Sequence, residues 1–210
     1  MRANTYNGSL TAEQFLFNEI RIVVKYYEQG KQIDEIVEII KQDNLFQYPT
    51  ERQVSRLTRA CHKRLVALGN ENLIRELINA PTAVAKQINL YSMMRYNCLV
   101  RDFMINIVGE KYRYQDFSFS RKDLNLFFSR LQEQNDDVAD WSDKTITKLK
   151  QVLTKCLVEI EMIDGVRSKT LNPFFISEEL KNGILENNDL EALAAFNCFR
   201  QVSDDGGHKK

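Results

Sequence analysis

The chain has 210 residues, of which 43% are hydrophobic and 28% are charged, and its 29 basic and 29 acidic residues leave a formal net charge of zero. These proportions are typical of a soluble globular protein, and the charge balance excludes a general polycation. Any affinity for nucleic acid must therefore come from a local basic patch. Only three prolines and eight glycines interrupt the chain, which favours long helices.

The first half of the chain is predicted to be a succession of helices. The spacing of apolar residues indicates a first helix that begins at Thr11, where Gln14 completes a capping box, and that stops at Gly30. A short second helix is expected over residues 33–40, and a loop then leads to a third. Helical periodicity continues over residues 70–79 and 83–108, and the latter segment should form a central apolar helix or a broken pair.

The third predicted helix, residues 50–68, is the most informative segment because its two faces differ in character. Thr50 caps it. One face is apolar at helical spacing and consists of Val54, Leu57, Cys61, Leu65 and Leu68. Basic side chains lie on or beside the opposite face, and these are Arg52, Arg56, Arg59, Lys63 and Arg64.

Two interpretations of this basic row are open. Lysines and arginines on a solvated helix face are usually mixed with acids that stabilise them, but no acid lies between Arg52 and Gly69. Aligned like charges cost a few tenths of a kcal/mol per pair, so their presence favours a polyanionic ligand such as the DNA backbone. A helix, a loop and a basic helix also have the outline of a helix-turn-helix, although this loop is longer than the motif requires.

The second half repeats this arrangement in a weaker form. Residues 110–119 are predicted to connect the halves, with aromatic rings that pack on the core rather than stack on bases, and Ser120 and Ser177 are predicted caps of further helices. A helix capped by Ser142 has an apolar stripe and should run to about Glu161. The dipeptide Asp-Gly at residues 164–165 predicts a tight hairpin turn. Lys144, Lys148 and Lys155 lie opposite the stripe, and the hairpin carries Arg167 and Lys169. Of these, Lys144, Lys148, Arg167 and Lys169 are predicted to form a second basic surface.

The predicted fold class is accordingly all-α. We expect a helical bundle with a helix-turn-helix-like N-terminal half, residues 1–110, and a winged-helix-like C-terminal half, residues 111–202, that carries one small β-hairpin. Residues 203–210 are expected to be a disordered tail.

Residue patterns that indicate catalysis or metal binding are missing from the sequence. The only histidines are His62 and His208, and the four cysteines are far apart, so no zinc-binding cluster and no cofactor are predicted. There is no glycine-rich phosphate loop and no hydrolase motif, so we expect no catalytic residues and no small-molecule substrate. The absence of a signal peptide or an apolar run of about 20 residues predicts a cytoplasmic protein that makes no membrane contact.

The chain contains several short motifs, which are Tyr-Asn-Gly-Ser-Leu-Thr at residues 6–11, Asn-Leu-Phe at 44–46, Arg-Gln-Val-Ser-Arg-Leu at 52–57, Lys-Arg-Leu at 63–65 and Trp-Ser-Asp-Lys-Thr at 141–145. These motifs resemble those of the BrxA family of bacteriophage exclusion (BREX) defence systems. The resemblance implies an all-helical DNA-binding protein without known catalysis that acts beside other BREX proteins.

The residues and the resemblance together predict a non-enzymatic component of phage defence that contacts phosphates of double-stranded DNA through its basic helices. One alternative is an interaction or scaffold subunit whose basic stripe meets an acidic surface on another BREX protein. A second is an RNA-binding helical protein, since basic helical faces also bind RNA.

Overall fold

The structure is a computed structural model that describes residues 6–199. Its α-helices are α1 (Phe17–Tyr27), α2 (Ile33–Gln42), α3 (Glu51–Leu68), α4 (Glu71–Asn79), α5 (Thr82–Tyr96), α6 (Cys98–Phe103), α7 (Glu110–Arg113), α8 (Arg121–Gln134), α9 (Asp136–Ala139), α10 (Asp143–Glu159) and α11 (Glu178–Glu186). Short 3₁₀ helices occupy Gly8–Thr11 and Leu190–Phe196, and a π-helical segment, Met104–Gly109, joins α6 to α7. The predicted all-α class is confirmed.

The start of the first helix differs from the prediction. Residues Gly8–Thr11 form a 3₁₀ turn, and α1 begins only at Phe17, after Leu16 adopts a left-handed backbone with φ of 51°. The intervening carbonyl groups of residues 13–15 do not enter a helical ladder because a buried side chain, Arg64, binds them. The capping-box pattern at Thr11 was a local signal, and a contact from a distant helix overrides it.

The N-terminal half is assembled around α3 and α5. Helix α3 packs against α1, α2 and α5, and α5 also packs against α4. A run of residues in α5 from Ile88 to Met94 is buried, so this helix lies at the centre of the protein, as its apolar composition predicts. The side chain of Asn97 accepts a hydrogen bond from the Val100 amide at 3.2 Å, which ends α5 and caps α6.

The C-terminal residues return to pack on the N-terminal helices. Helix α11 contacts α4 and α5, and Leu190–Phe196 packs on the π-helical segment. Two glycines permit this close approach: a Cβ on Gly109 would lie 3.0 Å from the Ala194 carbonyl carbon, and one on Gly183 would lie 2.5 Å from Leu73 Cγ. Buried side chains of both halves form one contiguous core. The division at residue 110 stays a prediction, and the predicted tail lies outside the described residues.

The predicted β-hairpin is wrong. Residues after α10 form turns, and the described part of the chain, 6–199, contains no strand beyond an isolated antiparallel bridge between Ser118 and Thr170. The amides of Phe119 and Leu171 donate across this bridge to the carbonyls of Lys169 and Phe117, at 2.8 and 2.7 Å. The segment therefore pairs with the connection that precedes α8 instead of folding back on itself.

The turn at residues 164–165 is held by a side chain rather than by a strand partner. Asn172 donates from its amide side chain to the Glu161 carbonyl at 3.0 Å and to the Asp164 carboxylate at 2.9 Å. Its backbone amide donates to the Met162 carbonyl at 2.8 Å. These bonds occupy the groups that a hairpin ladder would need, so the C-terminal half lacks the predicted wing.

None of the helices among residues 6–199 combines the length and the apolar character that crossing a bilayer requires.

Candidate nucleic-acid interface

The two faces of α3 are separated as the sequence predicts. The Thr50 hydroxyl accepts a hydrogen bond from the Gln53 amide at 3.3 Å, and Gly69, with φ of 60°, ends the helix. The apolar stripe is buried to a relative exposure of 2% or less at Val54, Leu57, Cys61, Leu65 and Leu68. This burial fixes the helix on the core and turns the opposite face to solvent.

Three of the five predicted basic residues of α3 lie open on that face. Arg52, Arg56 and Lys63 are exposed, and within residues 6–199 none of the three forms an ion pair. Arg59 is also exposed but pairs with Asp34 of α2, with 2.7 Å between its Nη2 atom and Oδ1. We call Arg52, Arg56 and Lys63 the α3 stripe. Its charge is uncompensated by neighbouring carboxylates, whereas the charge of Arg59 is partly neutralised.

The fifth residue, Arg64, is not available to a ligand. Arg64 is 1% exposed, and its guanidinium donates to the carbonyl oxygens of Phe15, at 3.0 Å, and Gln14, at 2.7 Å, and to that of Glu13. Burial lowers the pKa of this group. The prediction that Arg64 contacts phosphate is therefore wrong. Arg64 follows the buried Leu57 and Cys61 at helical spacing, and this was the signal for its inward position.

The second basic surface lies on α10 and the turns that follow it. The stripe of α10 is buried at Ile146, Leu149, Leu153 and Leu157. On the opposite side Lys144 is exposed and Lys148 is partly exposed. In the segment after α10, Arg167 and Lys169 are exposed. Among the described residues, no ion pair involves any of these four predicted basic residues.

A groove of about 610 Å³ lies between α8, α10 and the turns around residue 167. Its basic lining residues are Arg121, Lys150, Lys155 and Arg167. A smaller adjoining cavity of about 300 Å³ shares Arg121 and Arg167 and adds Lys169. Within residues 6–199, no acidic residue lines either space. We call the larger space the α8–α10 groove.

Sequence reasoning missed three of the groove's basic residues. Arg121, Lys150 and Lys155 were not predicted as site residues, and of those predicted only Arg167 lines the groove. Lys150 departs from the basic side of α10, and only the position of α8 beside it reveals why. Its Nζ atom donates to the Asn125 side chain of α8 at 2.9 Å and lies 5.4 Å from the centroid of the Phe128 ring.

The side chain of Lys155 lies between the groove and a second cavity that reaches α3. Lys155 lines the groove and also a second cavity of about 600 Å³ beside it. That second cavity is lined by Gln53 and Leu57 of α3 together with residues 14–19, Lys86 and Glu159. Glu159, which follows Lys155 by one helical turn, is paired with Lys86 at 3.0 Å. Among the described residues, no ion pair involves Lys155, although the carboxylates of Glu19 and Glu159 also line the second cavity.

The histidine and the buried cysteines of the described chain have structural surroundings. His62 is partly buried, stacks edge-on against Tyr27 with 5.5 Å between ring centroids, and has its pKa lowered by burial and by the charge of Arg59. Cys61 and Cys156 are buried free thiols, and burial raises the pKa of each to about 12. No group of side chains within residues 6–199 has the composition of a metal site.

A family model and a curated relative identify one family, and a solved structure shares the fold. The BrxA family model matches residues 4–188. A BREX protein BrxA from Bacillus cereus (strain H3081.97) is 31% identical over 159 residues, which are 76% of this chain and 79% of that protein. The crystal structure of an uncharacterized protein from Magnetospirillum magneticum shares the fold, with a TM-score of 0.77 and 22% identity over 91% of this chain and 97% of that chain. The chain belongs to the BrxA family of BREX phage-defence proteins.

Proposed function

We propose that this BrxA-family protein is a non-enzymatic, DNA-binding component of a BREX defence system that contacts the phosphates of duplex DNA. The observation that carries the proposal is the α3 stripe. Arg52, Arg56 and Lys63 occupy one exposed face of a helix whose other face is buried, and within residues 6–199 no carboxylate pairs with them. The second basic surface, with Lys144, Lys148, Arg167 and Lys169, would extend the contact.

The dimensions of the stripe suit a phosphate backbone. The stripe spans the helix from Arg52 to Lys63, which corresponds to about 16 Å at the rise of an α-helix. Phosphates recur about every 3.4 Å of axis along one strand of duplex DNA, so a stripe of this length lies beside several of them. Lysine and arginine contacts to phosphates position a protein without reading bases. We therefore expect binding with little sequence preference.

An interaction role is the principal rival. An acidic surface on another BREX protein would also neutralise the α3 stripe, and duplex RNA offers the same phosphates as DNA. The ion pair of Arg59 with Asp34 shows that carboxylates are accepted beside this stripe. The rival roles predict different outcomes when nuclease is added and when RNA competes with DNA for the protein.

Reversal of the stripe tests the proposal. We expect the variant Arg52→Glu/Arg56→Glu/Lys63→Glu to bind a short duplex on the order of 100-fold more weakly at moderate salt. The slope of log K against log salt concentration should become smaller in magnitude by about three, because each lost phosphate contact removes roughly 0.9 from that slope. Fluorescence anisotropy titrations at several salt concentrations measure both quantities.

The matched control is Arg75→Glu/Arg130→Glu/Lys181→Glu, which changes net charge equally at two exposed positions and one partly exposed position outside both basic surfaces. It should retain most of the affinity. Wild-type affinity and slope in the stripe variant would contradict the proposal. Stripe-dependent capture of other BREX proteins that survives nuclease treatment would favour the interaction role, and preferential competition by RNA would favour the RNA-binding role.

A further inference from the structure

The α8–α10 groove gathers positive charge from three parts of the chain. Arg121 is the first residue of α8, Lys150 and Lys155 lie on α10, and Arg167 follows the turn after α10. Arg121 and Arg167 also line the adjoining cavity, so the two guanidinium groups border the same space from opposite elements. A concave wall of one charge focuses the electrostatic potential more strongly than the same charges on a convex surface.

The nearby carboxylates are committed to other partners. Glu159 pairs with Lys86 at 3.0 Å, and Asp164 accepts from Asn172 at 2.9 Å. Asp123 caps α8 by accepting from the Ser120 amide at 2.7 Å, and it pairs with Lys111 at 3.0 Å. Among residues 6–199, no ion pair involves any of the four cations of the groove, so their mutual repulsion costs free energy unless an anion enters.

The rest of the lining has the hydrogen-bonding character that a phosphate ester requires. Thr147 and Gln151 offer neutral donors along the side of α10 that faces the groove, whereas the Thr154 hydroxyl already donates to the Lys150 carbonyl at 2.8 Å. Leu124 is buried at the wall, whereas Val166 is 61% exposed at the edge, so apolar contact with a sugar or base is available beside the cations. Arginine side chains bind phosphate oxygens in a bidentate manner, and the groove has one on each side.

We infer that the α8–α10 groove binds the sugar–phosphate backbone of a nucleic-acid strand, as a phosphate site separate from the α3 stripe. Arg121 and Arg167 bind a phosphate from either side, and Lys150 and Lys155 neutralise its neighbours. The inference rests on the proposed function for the identity of the polyanion, but it assigns that polyanion to residues that the α3 stripe does not include.

The test removes positive charge from the groove without introducing negative charge. The groove variant is Arg121→Gln/Lys150→Gln/Arg167→Gln, and its control is Arg75→Gln/Arg130→Gln/Lys181→Gln, which loses the same charge elsewhere. We expect the groove variant to bind duplex DNA at least about tenfold more weakly than the control, with a salt slope smaller by about two to three units. Thermal unfolding followed by circular dichroism verifies that both variants fold, and Arg121→Lys/Arg167→Lys, which keeps the charge, should recover part of the loss.

A second arm uses inorganic triphosphate, which carries phosphate charge without a nucleic-acid strand, and measures its binding by calorimetry. DNA affinity and salt slope equal to those of the control would overturn the inference. So would a groove variant that loses triphosphate binding yet keeps DNA affinity, since the groove would then serve a small phosphorylated ligand. If the groove variant weakens DNA binding while the α3 reversal does not, the groove assignment stands and the contact proposed for α3 fails.

Discussion

The substitution Asp189→Ala is expected to lower the free energy of unfolding by about 3–5 kcal/mol, because it breaks a buried ion pair by removing one partner. The Asp189 carboxylate is fully buried and accepts two hydrogen bonds from Arg101, at 2.8 and 3.0 Å, and one from the Tyr91 hydroxyl at 3.2 Å. Arg95 lies 3.6 Å away. Urea unfolding followed by circular dichroism measures the loss.

The cost arises mainly from the cations that would be left behind. Burial lowers the pKa of Arg101, but its hydrogen bonds with Asp189 and Glu191 outweigh burial, so that the pKa is raised and the charge is kept. The pair joins α6 to the start of Leu190–Phe196, the segment that packs on the π-helical turn. Its loss should therefore release the C-terminal segment first, and limited proteolysis should detect cleavage there.

The control for this substitution is Glu191→Ala. Glu191 contacts the same guanidinium at 3.0 Å but its side chain is 75% exposed, so its removal should cost less than about 1 kcal/mol. Equal losses for Asp189→Ala and Glu191→Ala would mean that burial of the carboxylate does not govern the stability of this contact.

The substitution Arg64→Met is expected to cost about 2–4 kcal/mol of unfolding free energy, because it removes the hydrogen bonds that a charged group donates to three backbone carbonyls. The Phe15 carbonyl would retain the Asn89 side chain, which donates at 2.7 Å, whereas the carbonyls of Glu13 and Gln14 would lose the guanidinium. The extended segment that precedes α1 should loosen, and hydrogen exchange at the start of α1 should rise.

Lys63 is the adjacent cation and provides a matched comparison. Lys63→Met should leave stability within about 0.5 kcal/mol, since the residue is exposed, but it should weaken DNA binding and reduce the salt slope by about one unit. Arg64→Met should lower the stability of the protein and leave the salt slope of DNA binding unchanged. If Arg64→Met reduced the salt slope without destabilising the protein, the inward position of Arg64 would be wrong.

The sequence predicts well where structure depends on neighbouring residues. Helix α3 begins after its predicted cap, and Ser120, Ser142 and Ser177 each accept a hydrogen bond from an amide in the first turn of the helix they were predicted to cap. The apolar stripes of α3 and α10 are buried as their spacing predicts. These features follow from helical periodicity, which short segments already contain.

The sequence fails where a distant contact decides the outcome. The helix expected to begin at Thr11 begins only at Phe17, because Arg64 binds the carbonyls of the residues before it. The hairpin expected at residues 164–165 is replaced by a bridge from Ser118 to Thr170, which brings together segments far apart in sequence. The α8–α10 groove was missed for the same reason, since Arg121 and Lys150 become neighbours only when α8 packs beside α10.

The central claim, that this protein binds the DNA backbone with its exposed basic residues, is tested most directly by titrating the wild-type chain with duplex DNA over a range of salt concentrations. The α3 stripe and the groove together predict a linear fall of log K against log salt with a slope of about −4 to −6, and similar affinity for unrelated sequences. A slope near zero, or no binding at low salt, would contradict the claim.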